Sequence, residues 1–177
     1  LENIILFLKN GKTTSFINLP NKIVIKKQYE DLIIEKEKLQ KISEYCFKID
    51  SLGTTIIPKL KIKITISILP VGPLKEIKLQ SKNNQVIYLD YNKISLPFFI
   101  RNKHKGDKFI PLGMNSYQKL SDFFINEKIP KDMRNKISFF CDSKNIFWII
   151  GYRTSEIGKI TNETKKMLKI EVKSIKE

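Results

Sequence analysis

Residues 61–68, Lys61-Ile62-Lys63-Ile64-Thr65-Ile66-Ser67-Ile68, alternate strictly between a polar side chain and an isoleucine. Successive side chains of a strand point to opposite faces, so this run presents one isoleucine face to a core and one polar face to water. A helix would scatter the same isoleucines around its whole circumference. The β-branched residue at every second position strengthens the case for a strand.

A strand of this kind needs partners along its edges, and the chain supplies runs of the same texture. Residues 15–19, 22–29, 32–36, 45–49, 54–57, 60–69, 76–79 and 85–89 alternate or cluster β-branched residues. Turn chemistry separates them at Leu19-Pro20-Asn21, Asp50-Ser51-Leu52-Gly53, Pro70-Val71-Gly72-Pro73 and Lys82-Asn83-Asn84. Residues 4–9, followed by Asn10-Gly11, read as the last turns of a helix closed by glycine. The start at Leu1, without an initiator Met, reads as a cut piece of something longer.

Beyond Pro97 the texture changes. Residues 98–103 form a strand that runs into a basic turn, His104-Lys105-Gly106-Asp107. Leu120, Phe123, Phe124 and Glu127 fall at helical spacing, with Lys119, Asp122 and Asn126 on the opposite side. Pro130 opens a second short helix at its first position, with Met133 and Ile137 inward. Residues 138–141 and 145–150 make a hairpin closed by Asp142-Ser143-Lys144; its second strand is apolar on both faces and therefore interior. Thr161 caps a short helix to Met167, and 169–173 form the last strand. The expected class is α+β: two β-rich units with a few short helices. The expected division is a linker-helix end at 1–11, a first β-rich domain at 12–96 and an α+β domain at 97–177, joined between 70 and 97.

Charge narrows the partner. The chain carries 33 Lys plus Arg against 18 Asp plus Glu, a formal +15. It has no Ala and only three Arg, Arg101, Arg134 and Arg153. That bias, with abundant Ile and Asn, is what an AT-rich genome writes, so part of the lysine excess is codon habit. Acidic residues have A-rich codons too and are not enriched to match, so an acidic partner, nucleic acid first, is still favoured. Residues 1–100 carry 16 basic and 9 acidic residues and the rest carry 17 and 9, so neither half is a detached basic tail.

Several chemistries are missing from the sequence. Gly11-Lys12-Thr13 resembles the end of a phosphate-binding loop, but Leu6 occupies the position of that motif's first glycine. The seven glycines never form GxGxxG. One histidine, His104, and two distant cysteines, Cys46 and Cys141, make an ordinary zinc site or a disulfide scaffold improbable, and a reducing cytosol fits them best. His104 reads as a solvated or phosphate-adjacent polar residue. No apolar run approaches the roughly 20 residues of a membrane helix. The chain reads as soluble, cytoplasmic and not self-sufficient as an enzyme, with no catalytic or metal residue of its own.

The informative stretch is 96–170. It runs through Arg101-Asn102-Lys103-His104-Lys105-Gly106-Asp107-Lys108-Phe109-Ile110-Pro111-Leu112-Gly113-Met114, then Lys119-Leu120-Ser121-Asp122-Phe123-Phe124-Ile125. Lys128-Ile129-Pro130 with Arg134, Trp148-Ile149-Ile150-Gly151-Tyr152-Arg153 and Thr164-Lys165 follow. In this order the segments resemble the C-terminal domain of the tRNA isoleucine lysidine synthetase family. That family shows an Arg, a basic turn ending in Gly-Asp-basic-aromatic, a Pro-Leu-Gly-Met step, a Lys-Leu helix with paired Phe, an Ile-Pro plus Arg, and a Gly-x-Arg after a strand. Residues 1–69 match more loosely, through Leu19-Pro20, Tyr29 and Gly53-Thr54-Thr55-Ile56-Ile57-Pro58. Lys103 and Lys108 stand where the family usually has Arg, which keeps charge and loses the bidentate grip. Residues 115–118 lack the family's usual glycine.

The resemblance implies a parent enzyme that uses ATP to adenylate the wobble cytidine of an isoleucine tRNA, after which the lysine amine displaces AMP. Decoding then changes from AUG to AUA. The family's C-terminal part holds the tRNA, acceptor stem included. The implied tRNA-binding set is Arg101, Lys103, Lys105, Lys108, Lys119, Lys128, Arg134 and Arg153. ATP and Mg2+ belong to the parent's catalytic domain, whose Ser-Gly-Gly-x-Asp-Ser loop is not in this sequence. The implied partners are isoleucine tRNA, the catalytic domain and a second copy in a homodimer, with no membrane.

The residues themselves point the same way. Four basic residues within 101–108, around Gly106, make a compact positive knuckle suited to phosphates, with an ordinary solvated turn as the alternative. Arg134 and Arg153 stand out against the lysine background, and each equally suits a structural role on an internal carboxylate such as Asp107 or Asp122. Phe98, Phe99, Phe123, Phe124, Phe139, Phe140 and Trp148 sit at strand or helix periods and read as core rather than as base-stacking groups. Two competing readings are a free-standing RNA-binding module without a catalytic parent and a dimerisation domain that pairs through a β-edge.

Overall fold

The computed structural model describes residue 5 and residues 14–28, 31–36, 43–71 and 84–175. The expected helix end before Gly11 and the strand at 76–79 lie outside the described residues. The chain divides into two compact units, 1–41 and 42–177.

In the first unit β1 (Thr14–Leu19), β2 (Ile23–Gln28) and β3 (Asp31–Lys36) form an antiparallel meander in that order. The reversal from β1 to β2 is a short 3-10 turn, Pro20–Lys22. Pro20 pre-sets φ there, and Asn21 takes the left-handed region at φ 62° that asparagine tolerates better than most residues. Val24 and Ile25 of the middle strand are buried.

The second unit has three layers. One sheet carries β5 (Gly53–Ile57), β6 (Ile62–Pro70), β14 (Lys166–Ser174) and β7 (Val86–Asp90), in that spatial order and antiparallel throughout. The other runs β13 (Arg153–Thr154), β12 (Ile146–Ile149), β11 (Phe139–Cys141), β8 (Phe98–Arg101) and β4 (Cys46–Ile49). The strictly alternating run is β6, and its Ile64 and Ile66 are buried beside Leu168 and Ile170 of β14. They pack with Phe98, Ile100, Phe140, Phe147 and Trp148 of the facing sheet. Each such side chain withdrawn from water contributes about 2 kcal/mol.

Two consecutive aromatics can enter one core because the register slips. Phe140 pairs with Trp148 and Cys141 with Ile146, so Phe147 is the extra residue of a bulge and lies with Trp148 between the sheets. The opposite face of the five-stranded sheet carries Phe139, Cys141, Ile146 and Ile149. Helix α1 (Leu120–Asn126) covers that face with Leu120, Phe123 and Phe124, the residues its 3.6-residue period places on one side. The buried thiol of Cys141 is pushed up to about 11 by desolvation and donates to Phe99 O at 3.5 Å.

Four expectations need correction. The boundary at 96/97 cuts through both sheets, because β4 pairs with β8 and β14 lies between β6 and β7. The compact units divide at 41/42, since strands distant in sequence share hydrogen bonds. The helix expected from Thr161 to Met167 is a turn followed by β14. Thr161 N–H donates to Thr164 Oγ1 at 2.9 Å, and that hydroxyl donates to the buried Asp90 Oδ2 at 2.7 Å. The polar side chains thus satisfy the turn locally, and Leu168, Ile170 and Val172 then keep strand period. Pro130 precedes α2 (Lys131–Arg134) as its N-cap rather than its first residue, and Met133 is 40% exposed while Ile137 is buried. The strand expected over 98–103 ends at Arg101.

Helix α1 closes on Lys128, whose φ is 54°. Lys128 N–H donates to Ile125 O at 3.0 Å and Ile129 N–H to Phe124 O at 2.9 Å, the paired bonds of a left-handed C-terminal cap. Glycine is the residue for that backbone. Lys128→Gly is expected to raise unfolding free energy by about 0.5–1 kcal/mol in urea titration, and a loss of stability would contradict the cap.

Candidate functional site

The site grows from the end of β8. Arg101 Nη1 donates to Asp107 Oδ2 at 2.8 Å and to Asn102 O at 3.0 Å, and Nη2 donates to Asp107 Oδ1 at 3.0 Å. Its guanidinium lies 5.9 Å from the Phe139 ring centroid. Both side chains of this two-pronged pair are largely out of solvent, at 15% and 12% exposure. Burial pulls the Arg101 pKa down, and the hydrogen bonding to Asp107 together with the interactions with Cys141 and with the Asp107 charge outweighs it, so the pKa is raised overall and the guanidinium stays charged. Asp107 Oδ2 also accepts His104 N–H at 2.8 Å, and its carbonyl accepts Leu120 N–H at 2.9 Å. Gly106, at φ 88°, lets the chain turn back between the two ends of this latch.

The latch shapes an open cleft of about 630 Å3 lined by Glu44, residues 102–107, Lys119, Leu120, Ser121 and Asn135. Asn102 is 3% exposed and joins three segments. Its Oδ1 accepts Tyr45 N–H at 3.1 Å, and its Nδ2 donates to Ser43 O at 3.4 Å and Asn135 O at 3.5 Å. Because Arg101 and Asp107 cancel, the positive charge that the cleft presents comes from Lys103, Lys105 and Lys119. A two-stranded ribbon, β9 (Lys108–Phe109) with β10 (Gln118–Lys119), sets Lys119 directly opposite Lys108. Like charges directly opposed across strands are unfavourable, and an anion shared between them relieves the repulsion. Lys108 Nζ lies 4.7 Å from the Tyr117 ring centroid.

The remaining basic residues of the expected set stand elsewhere. Lys128 caps α1. Arg134 Nε donates to Ile129 O at 2.9 Å and its guanidinium lies 5.9 Å from the Phe124 ring. Arg153 Nη2 donates to Leu112 O at 2.7 Å, bracing the Pro-Leu-Gly-Met turn, whose Gly113 N–H meets Glu156 Oε2 at 2.7 Å. The hydrogen bond from Lys159, and then that from Gly113, lower the Glu156 pKa. β13, which carries Arg153, is separated from β8 by two strands, about 14 Å at ordinary strand spacing. The structural arginine on Asp107 is therefore Arg101, while Arg134 and Arg153 hold backbone carbonyls. Fold and turn gather Lys103, Lys105, Lys108 and Lys119 around one cleft and ribbon. Sequence reasoning passed over Asn102 and Glu44, whose neighbourhood depends on β4 pairing with β8.

Residues 98–172 match the family profile described as the TilS substrate C-terminal domain. A solved TilS C-terminal domain superposes with a TM-score of 0.61 at 20% identity, over 76% of this chain and 100% of that one. The chain carries a TilS C-terminal domain. Among curated relatives, the tRNA(Ile)-lysidine synthase of Clostridium acetobutylicum is 37% identical over 175 residues, 97% of this chain and 37% of that protein. The corresponding synthase of Caldanaerobacter subterraneus subsp. tengcongensis is 33% identical over 167 residues, 94% of this chain and 35% of that protein. The chain thus spans little more than a third of the length of the relatives it matches. The Arg101–Asp107 latch and the lysines of the cleft fall inside the matched residues 98–172, while Glu44 of the cleft lining lies outside them. The α+β, β-rich class read from the sequence stands. Among the described residues, no helix is long and apolar enough to cross a membrane.

Proposed function

We propose that this chain is the tRNA-holding part of a tRNA(Ile)-lysidine synthase, with the cleft at Lys103, Lys105 and Lys119 and the Lys108 ribbon seated on the tRNA backbone. The observation that carries this reading is the latch. Arg101 and Asp107 neutralise each other and fold residues 102–106 into a fixed turn, so the neighbouring ammonium groups converge on one surface. Converging lysines neutralise phosphates irrespective of sequence and position the RNA. The chemistry belongs to the parent's catalytic domain: adenylation of the wobble cytidine with ATP and Mg2+, then displacement of AMP by lysine. This chain supplies grip, in the cytoplasm, and its partners are isoleucine tRNA and that catalytic domain.

Fluorescence anisotropy with labelled isoleucine tRNA tests the reading. For about four to six phosphates neutralised, log K falls against log salt with a slope of about −3 to −5. Affinity for isoleucine tRNA is expected to exceed that for an unrelated hairpin. Equal affinity and equal slope for both RNAs would favour a generic RNA-binding module instead.

A further inference from the structure

Most rings described in the second unit are buried, Phe98, Phe109, Phe123, Phe124, Phe139, Phe140, Phe147 and Trp148 among them, and Phe47, Tyr91 and Phe99 are partly buried. Two tyrosines are exposed, Tyr117 at 54% and Tyr152 at 42%, and Tyr117 is the one with a lysine ammonium against its ring. An aromatic left in water beside cations is an amphipathic surface with a use. We infer that Tyr117 is a stacking platform for an unpaired RNA base, so that the chain grips a stem at the point where base pairing ends. The inference rests on the RNA-holding reading above and adds what part of an RNA the site selects.

The placement supports it in three steps. Tyr117 immediately precedes β10, whose Lys119 lines the cleft and faces Lys108 across the ribbon. The Lys108 ammonium, 4.7 Å from the Tyr117 centroid, sits against the ring and makes a stacked base and a bound phosphate neighbours on one surface. Ring, ammonium, ammonium and cleft therefore follow one another along a ribbon two residues wide in each strand. Bases inside a duplex are stacked on both sides and expose no face, so away from the terminal pair of a stem such a ring can take a base only where the strand is single. A duplex would use the lysines alone.

Two probes decide it: a short RNA hairpin ending flush, and the same hairpin with a single-stranded 3′ extension carrying 2-aminopurine. The extension is expected to tighten binding by about tenfold, within the range of one stacked base, and the 2-aminopurine fluorescence to be quenched on binding. Tyr117→Phe retains both effects. Tyr117→Leu loses both while its affinity for the flush hairpin stays at the unsubstituted value, which also certifies that the variant is folded. An extension without benefit, or a benefit that survives Tyr117→Leu, overturns the platform and leaves the lysine cleft standing. Failure to bind either probe removes the RNA-holding reading and the platform together.

Discussion

Replacing Lys103 and Lys105 together with glutamate is expected to weaken tRNA binding about a hundredfold at fixed salt, because two charge-assisted contacts worth about 1.5 kcal/mol each are lost. The control is the same double change at Lys59 and Lys144, both exposed and both outside the cleft lining. Either double variant lowers the formal charge from +15 to +11. Long-range attraction is thus matched, and what differs is local contact. The control is expected to lose less than about fivefold, the part due to the general field. Lys103 and Lys105 lie outside both apolar clusters, so melting temperature is expected to hold in both variants. Equal losses would mean that tRNA sees a diffuse positive surface and that the cleft is no site.

The fold was legible wherever one period was enough. The isoleucine alternation of β6 and the helical spacing of Leu120, Phe123 and Phe124 each name an inward face: Ile64, Ile66, Leu120, Phe123 and Phe124 are buried, while Ile62 is half-buried and Ile68 is exposed towards the end of the strand. Period says nothing about which strand lies beside which. β14 joins the first sheet between β6 and β7 only when the chain has closed on itself, and that pairing removes the expected boundary at 96/97. The error at Thr161 has a different origin. A threonine ahead of a short mixed segment has the local look of an N-cap, but here the buried Asp90 claims the Thr164 hydroxyl, and the segment becomes a turn. Asp90 is 74 residues distant, beyond any window of sequence pattern.

The candidate site was legible as a cluster and not as a circuit. Lys103, Lys105 and Lys108 were adjacent in the sequence, and Lys119 joined them through a ribbon that the sequence showed only as a break between strand and helix. What the sequence could not apportion was which basic residue is spent internally. Arg101, Arg134 and Arg153 look alike as letters. Their difference lies in whether a carboxylate or a carbonyl meets the guanidinium, and the turn at Gly106 decides that for Arg101.

Arg101 and Asp107 accordingly carry the strongest expectation about stability. Removing either partner leaves the other largely buried and unmatched, so Arg101→Ala and Asp107→Ala are each expected to cost about 3 kcal/mol in chemical denaturation. The double variant costs about 4 kcal/mol rather than the sum of the two, a coupling of about 2 kcal/mol in the mutant cycle. Arg101→Lys keeps the charge but cannot make the two-pronged contact, and falls in between. Binding separates a latch from a direct phosphate contact. Arg101→Ala takes the formal charge from +15 to +14, whereas Asp107→Ala takes it from +15 to +16. If attraction to phosphate were all that mattered, Asp107→Ala would bind tRNA more tightly. A latch that shapes residues 102–106 requires both variants to bind more weakly, since Asp107 also holds the His104 N–H and its carbonyl meets Leu120 N–H. Tighter binding by folded Asp107→Ala, measured well below its melting temperature, would assign Arg101 to the RNA and leave the turn without a structural role in recognition.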